Sequence, residues 1–196
     1  MKEIILLKIS LEGSNPLIWR EILLRKDTSF FELHHIIQIA MGWGNYHLFE
    51  FNLEGYRIGE VIEDEITNGF GSDQLLNAKD VKLKDVISGA REFINYQYDF
   101  GDNWRHKIKV EKFLAHDDSL RYPICINGQM NCPSEDCGGV SSFYYYLDVL
   151  KDKMHPEYKE IKAWFPKKYD TTKFDKEKAN KQLEKLEKYI TKWMNG

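Results

Sequence analysis

The sequence predicts an α+β fold: a mainly antiparallel sheet packed by one helix in the N-terminal half and about three helices at the C-terminus. Three observations carry that expectation. β-prone runs alternate in hydrophobicity around tight turns, one strongly capped helical pattern interrupts them, and the C-terminal part switches to helical spacing. With 196 residues, 42% hydrophobic and 30% charged, the chain can bury a core without disulfides. It reads as a single domain over 1–196, sheet-rich over 1–115, a Cys/Gly/Pro loop over 116–140 and helical over 141–196.

Residues 3–11 and 17–24 are apolar β-rich runs joined by Gly13-Ser14-Asn15-Pro16, which reads as a hairpin. Ser29 and Glu32 form an S-x-x-E capping box ahead of Phe30, Leu33, Ile36, Ile37, Ala40 and Met41 at helical spacing, and Gly42 is placed to end that helix. Residues 47–53 and 56–62 read as two strands about Glu54-Gly55; the acidic stretch 63–80, with Gly69 and Gly71, shows no period and reads as a loop. Ile94, Tyr96, Tyr98 and Phe100 alternate, as do Trp104, Ile108 and Val110 beyond Gly101-Asp102-Asn103, giving a second hairpin. His106 shares the inward face of that second strand and is expected half-buried, while Arg105, Lys107 and Lys109 point away.

Ser141 or Ser142 can cap a helix through Phe143, Tyr146, Leu147 and Leu150, and Pro156 suits the first turn of a short helix ending at Phe165. A linker is expected near Pro166 to Thr172. Ala179, Leu183, Leu186, Ile190 and Trp193 then form one apolar stripe, expected to pack on the sheet, with a dimer seam as the alternative.

The formal net charge of −3 hides an asymmetry: 15 Lys/Arg against 23 Asp/Glu up to residue 150, then 13 against 8. The basic C-terminal region can steer a nucleic acid or protein partner, or form an ordinary solvated lysine face. The opening run Ile4-Ile5-Leu6-Leu7 is interrupted by Lys8, too short for a signal peptide or a membrane span, so no membrane association is expected. Three cysteines, an odd number confined to 125–137, make a poor disulfide frame and fit the reducing cytoplasm.

Those cysteines are the densest chemistry in the chain. Cys125, Cys132 and Cys137 follow C-x6-C-x4-C in a glycine-rich segment, and a flexible backbone allows thiolates to converge on zinc with His47 or His106 as fourth ligand, or Asp136 as an oxygen donor. The expected role is structural; free thiols in a packed loop are the alternative. Around the second hairpin turn, Asp102 and His106 suit an orienter and a base, or hard-metal ligands, although the same residues also make ordinary turns. His34 and His35 are adjacent on the first helix, so they cannot ligate as an i, i+4 pair, and they are expected at the surface and boundary. Tyr144, Tyr145 and Tyr146 are expected in boundary packing. The chain has no P-loop, dinucleotide fingerprint, G-x-S-x-G or H-E-x-x-H, so no nucleotide cofactor is expected.

The chain resembles the plasmid pRiA4b ORF-3-like family in five ordered motifs: Ile18-Trp19-Arg20; Leu33-His34-x2-Ile37-Gln38-x-Ala40-Met41-Gly42-Trp43; His47-Leu48-x-Glu50-Phe51; Tyr98-Asp99-Phe100-Gly101-Asp102-x-Trp104-Arg105-His106; and Cys132-Pro133-x-Glu135-Asp136-Cys137-Gly138-Gly139. The resemblance implies a compact α+β domain whose shared polar residues fall on His47, Asp99, Asp102, Arg105, His106, Glu135, Asp136 and the three cysteines. Some members of the family travel with insertion-sequence transposons under a resolvase-like name. Serine-recombinase chemistry is not expected here, because the six arginines are scattered and no nucleophilic serine sits among them. Ser134 and Asn103 stand where the family pattern often has proline and aspartate, which keeps the cysteine frame but removes one carboxylate from the turn.

Two functions from different classes follow as expectations. The first is a non-catalytic accessory or interaction module, associated with mobile DNA. The second is a metal-dependent hydrolase or nuclease built on His47, Asp102, His106 and Asp136.

Overall fold

The computed structural model describes residues 3–60, 75–165 and 169–195. The elements in order are β1 (Glu3–Leu11), β2 (Trp19–Arg25), α1 (Phe30–Met41), β3 (Phe49–Leu53), β4 (Tyr56–Gly59), β5 (Leu75–Asn77), α2 (Leu83–Val86), β6 (Phe93–Tyr98), β7 (Trp104–Ala115), β8 (Ile124–Gln129), α3 (Gly139–Val149), α4 (Tyr158–Trp164), α5 (Lys176–Leu183) and α6 (Leu186–Met194). Among the described residues the eight strands form one sheet in the order β5-β4-β3-β6-β7-β1-β2-β8. The pairs are antiparallel except β4 with β5.

Both expected hairpins form. Ile9 faces Arg20 across β1 and β2, and Tyr98 faces Trp104 across β6 and β7. Period-two alternation drives the second pair: Ile94, Tyr96 and Tyr98, with Trp104, Ile108 and Val110, are all buried beneath α1. On the opposite face of the sheet, Ile4, Leu6 and Leu23 gather into a smaller cluster with Leu114, Tyr122 and Ile124.

Helix α1 begins and ends as its sequence dictates. Ser29 accepts from the Glu32 amide, Glu32 reaches back to the Ser29 amide, and Gly42 closes the helix in the left-handed region at φ 86. The helix is covered on both sides, by the sheet and by α5 and α6; Phe31 and His35 meet the Trp193 ring at 5.9 and 5.0 Å. His34 and His35 are therefore fully buried rather than at the surface and boundary. The helical spacing correctly marks the sheet-facing side, but the cover on the other side comes from residues some 150 positions later in the chain. No basic residue lies in the last turn of α1. Arg20 arrives there from β2 instead, its Nε donating to Ala40 O at 2.9 Å and its Nη1 to Trp19 O and Gln129 O. This buried guanidinium is offset by the Ala40 carbonyl at the end of α1, by the two strand carbonyls and by the Phe174 ring 3.7 Å from its centre.

The structure departs from the sequence reading in three other places. The stretch read as a loop over 116–140 contains β8, which extends the sheet at β2 with Ile22 facing Cys125; Asn127 and Gly128 hide its alternation. Residues 75–77 of the expected acidic loop form β5, 78–80 make a turn, and a single helical turn, α2, follows; 63–74 of that loop and residues 61–62 of the preceding strand lie outside the described residues. The long C-terminal stripe breaks at Glu184-Lys185, so four helices follow residue 138 rather than three. Lys185 leaves the helical region at φ −110, ψ 21, and the break turns the stripe so that both halves lie on α1, with α5 also on β8. The stripe thus packs within the chain. Of the expected linker, 166–168 lie outside the described residues, while Tyr169 and Phe174 beyond them pack on the core. No helix among the described residues is long and apolar enough to cross a membrane.

Candidate functional site

At one end of the sheet three segments meet: the α1–β3 connection, the β6–β7 turn, and the loop between β8 and α3. The turn sets the geometry. Asp99 and Asn103 both adopt left-handed backbone, at φ 54 and 57, and Asp99 Oδ1 accepts from the amides of Gly101 at 2.9 Å and Asp102 at 3.3 Å. That leaves Asp99 Oδ2 without a hydrogen bond, 3.6 Å from His47 Nε2, in a residue only 8% exposed.

The cysteine-bearing loop folds onto this turn. Trp43 Nε1 donates to Pro133 O at 2.8 Å, and the Gly138 amide donates to Asp102 Oδ2 at 2.9 Å. A Cβ on Gly139 would stand 2.4 Å from Asp102 O, so only glycine permits the approach. Glu135 binds the connection from below, accepting from the amides of Gly44 and Asn45 and from Tyr98 OH at 2.5 Å. Tyr98 OH in turn accepts from the Tyr46 amide at 2.9 Å. Next along the loop Asp136, at φ 57, receives His47 Nε2 at 2.8 Å. Among the described residues, His47, Asp99 and Asp136 are the one set of three or more ligand-type side chains whose atoms all lie within 4.8 Å of one another.

Burial lowers the proton affinity of His47, but the Asp136 hydrogen bond and the charges of Asp99, Asp136 and Glu135 outweigh it, so its pKa lies above the usual value. Beneath it a buried polar chain anchors the connection. His34 Nε2 lies 2.5 Å from Asn45 Oδ1, and His34 Nδ1 2.8 Å from Tyr96 OH, which accepts from Gln38 Nε2 and donates to that ring nitrogen. This pattern requires a neutral His34 with its proton on Nε2, and burial, reinforced by the neighbouring His35, pushes its pKa well down. Around the group, Tyr46, Leu48 and Phe100 are 79%, 45% and 51% exposed, so an apolar rim flanks two of the three side chains along the chain.

Other sequence candidates are placed elsewhere. His106 is fully buried rather than half-buried, packed between Trp43 and Tyr96 with neither ring nitrogen hydrogen-bonded, and burial lowers its pKa to about 3. It makes no pair with Asp102, whose carboxylate holds the Gly138 amide instead. Arg105 is exposed and donates to Asn103 Oδ1 at 3.0 Å. The three thiols are free and buried; they do not gather with His47 into one ligand set among the described residues. Burial raises Cys125 to about 11 and Cys132 and Cys137 to about 12, and the nearby Arg20 charge recovers only part of that for the first two. Tyr98 and Asn45 hold the site yet were not singled out for it in the sequence. Their signal, a tyrosine on an inward strand face and an asparagine after Gly42-Trp43-Gly44, is indistinguishable from packing and a turn.

The family model described as "Plasmid pRiA4b ORF-3-like protein" matches residues 3–178. The uncharacterized protein y4hQ of Sinorhizobium fredii (strain NBRC 101917 / NGR234) is 29% identical over 193 residues, covering 97% of this chain and 94% of that protein. The crystal structure of the protein of unknown function MM3350 from Methanosarcina mazei Go1 superposes with a TM-score of 0.80 at 34% identity, covering 90% of this chain and 97% of that one.

Proposed function

The chain belongs to the plasmid pRiA4b ORF-3-like family, and from that premise we propose that it is a metal-dependent hydrolase in which His47, Asp99 and Asp136 hold one divalent ion. The observation that carries this reading is the convergence of one imidazole nitrogen and two carboxylate oxygens from three separate segments within 4.8 Å. Ligands about 2.0–2.1 Å from a tetrahedral ion stand roughly 3.3 Å apart. The His47 contacts of 2.8 and 3.6 Å straddle that spacing. Asp99 supports the same reading: the turn amides occupy its Oδ1 alone, leaving Oδ2, 3.6 Å from His47 Nε2, to meet an ion.

One nitrogen and two oxygens suit a borderline to hard ion, Zn2+ or Mn2+. Three protein ligands leave coordination open for water and substrate, and an ion so held lowers the pKa of its water towards neutrality. The thiols take no part, and no side-chain nucleophile stands in the group, so water is the attacking species. The second reading, a non-catalytic interaction module, draws on a different feature, a cation-lined groove at the other end of the sheet. The test is to load the protein with Zn2+ or Mn2+, remove free ion, and measure metal content together with hydrolysis of bis(p-nitrophenyl) phosphate and p-nitrophenyl acetate. One ion per chain and turnover of at least one ester, both lost in Asp99→Asn, are expected. Metal-free protein, or an Asp99→Asn variant that retains ion and turnover, overturns the reading.

A further inference from the structure

The strands β1 and β2 run the length of the sheet, and at the end remote from His47 a groove of about 860 Å3 opens between the start of α1, the approach to β8 and the α5–α6 break. Its lining carries six cationic side chains against four carboxylates. Two of those carboxylates are already committed, Asp27 to Arg25 at 2.6 Å and Glu32 to the capping box of α1. The remaining cations, Lys79, Lys82, Arg121, Lys185 and Lys188, are all exposed, and none makes an ion pair with a carboxylate among the described residues. Only Glu184 and Glu187 stand uncommitted beside them.

The five charges come from three separate places in the chain, so this is not one solvated helix face. They converge because the C-terminal stripe breaks at Glu184-Lys185, which sets Lys185 and Lys188 opposite Lys79, Lys82 and Arg121. Its aliphatic side chains Leu183 and Leu186 are 2% and 9% exposed, consumed by the core, which leaves half-buried Tyr122 and Pro123 as the accessible apolar lining. A protein partner needs exposed apolar anchors at the centre of its contact, whereas a phosphodiester chain is held by spaced cations with polar surroundings. We infer that this groove binds the phosphate backbone of nucleic acid without reading its sequence.

The inference is independent of the metal site, and its test is run in EDTA so that the two fail separately. A fluorescent 20-nucleotide DNA, single-stranded or as a duplex, is titrated with the full chain across a series of salt concentrations. Contacts from about five cations give a log–log salt slope of roughly −3 to −5. In the triple variant Arg121→Gln, Lys185→Gln, Lys188→Gln, affinity at low salt falls at least tenfold and the slope shortens by about 2 to 3. The charge-matched variant Lys153→Gln, Lys159→Gln, Lys162→Gln, altered on and before α4, keeps both, and circular dichroism verifies the fold of each. Preference for the single strand or the duplex identifies the source of the phosphate chain. Absence of binding at low salt, equal losses in the two triple variants, or displacement of DNA by poly-glutamate of equal charge overturns the inference.

Discussion

His47 and His106 stand on either side of the Trp43–Tyr98 stack, yet they are chemically opposite. His106 has no hydrogen-bond partner, and burial holds it neutral with a pKa of about 3; His47 faces two carboxylates at the rim, and its pKa is raised. The cysteines sit on the buried side of the same divide, at about 11 to 12. Reactive residue types therefore do not make a reactive site. Desolvation silences the interior set, and only the side chains at the mouth keep both charge and access.

The largest expected effect tests the silent side of that comparison. A rise from 9.0 to about 12 at Cys132 and Cys137 lowers the thiolate fraction at neutral pH by roughly a thousandfold, at tenfold per unit. Iodoacetamide labelling of the native chain is then expected to run about 10^3-fold slower at these thiols than in urea, with mass spectrometry resolving the sites. Native rates close to the denatured ones would place the thiols at the surface and break the comparison.

A smaller effect sharpens the active side. Glu135 touches none of the three proposed ligand atoms, but it ties Gly44, Asn45 and Tyr98 together beneath His47. Glu135→Gln is expected to weaken Mn2+ or Zn2+ binding 10- to 100-fold, the range for supporting groups around metal ligands, measured by isothermal titration calorimetry. An unchanged affinity would make Glu135 a fold element alone.

The smallest effect is the pH dependence. A proton and an ion compete for His47 Nε2, so ion affinity falls about tenfold per pH unit below the raised His47 pKa. In the ion-free chain the sign is opposite. A raised folded pKa contributes stability that is fully present below the unfolded value near 6.5 and is lost as pH rises through the folded value. Solvent screening holds this contribution below about 1 kcal/mol. Urea midpoints for the native chain and His47→Gln should converge at alkaline pH and separate in acid.

Much of the fold is legible in the sequence because local rules carry it. The Ser29–Glu32 box, Gly42 and the alternation around Trp104 each specify their element without distant help. β8 escapes notice because an edge strand with Asn127 and Gly128 has no clean period, and the burial of His35 depends on α6 arriving from the far end of the chain, while His34 lies on the sheet side, stacked on Phe49. The site was half legible. His47, Asp99 and Asp136 are all visible as polar residues near turns, but the choice of Asp99 over Asp102 rests on which carboxylate the folded turn brings to His47: Asp99 Oδ2 lies 3.6 Å from its Nε2, whereas Asp102 holds the Gly138 amide. Sequence order gives no access to that accounting. The thiols look like ligands for the same reason, since spacing records neither burial nor direction.

The most direct measurement of the central claim is the electronic spectrum of the chain loaded with one equivalent of Co2+. Oxygen and nitrogen ligands from His47, Asp99 and Asp136 give weak visible bands and no sulfur-to-cobalt charge-transfer band in the near ultraviolet, and the spectrum is unchanged in Cys132→Ser, Cys137→Ser but lost in His47→Ala. An intense charge-transfer band that disappears when those two cysteines are replaced would contradict the account.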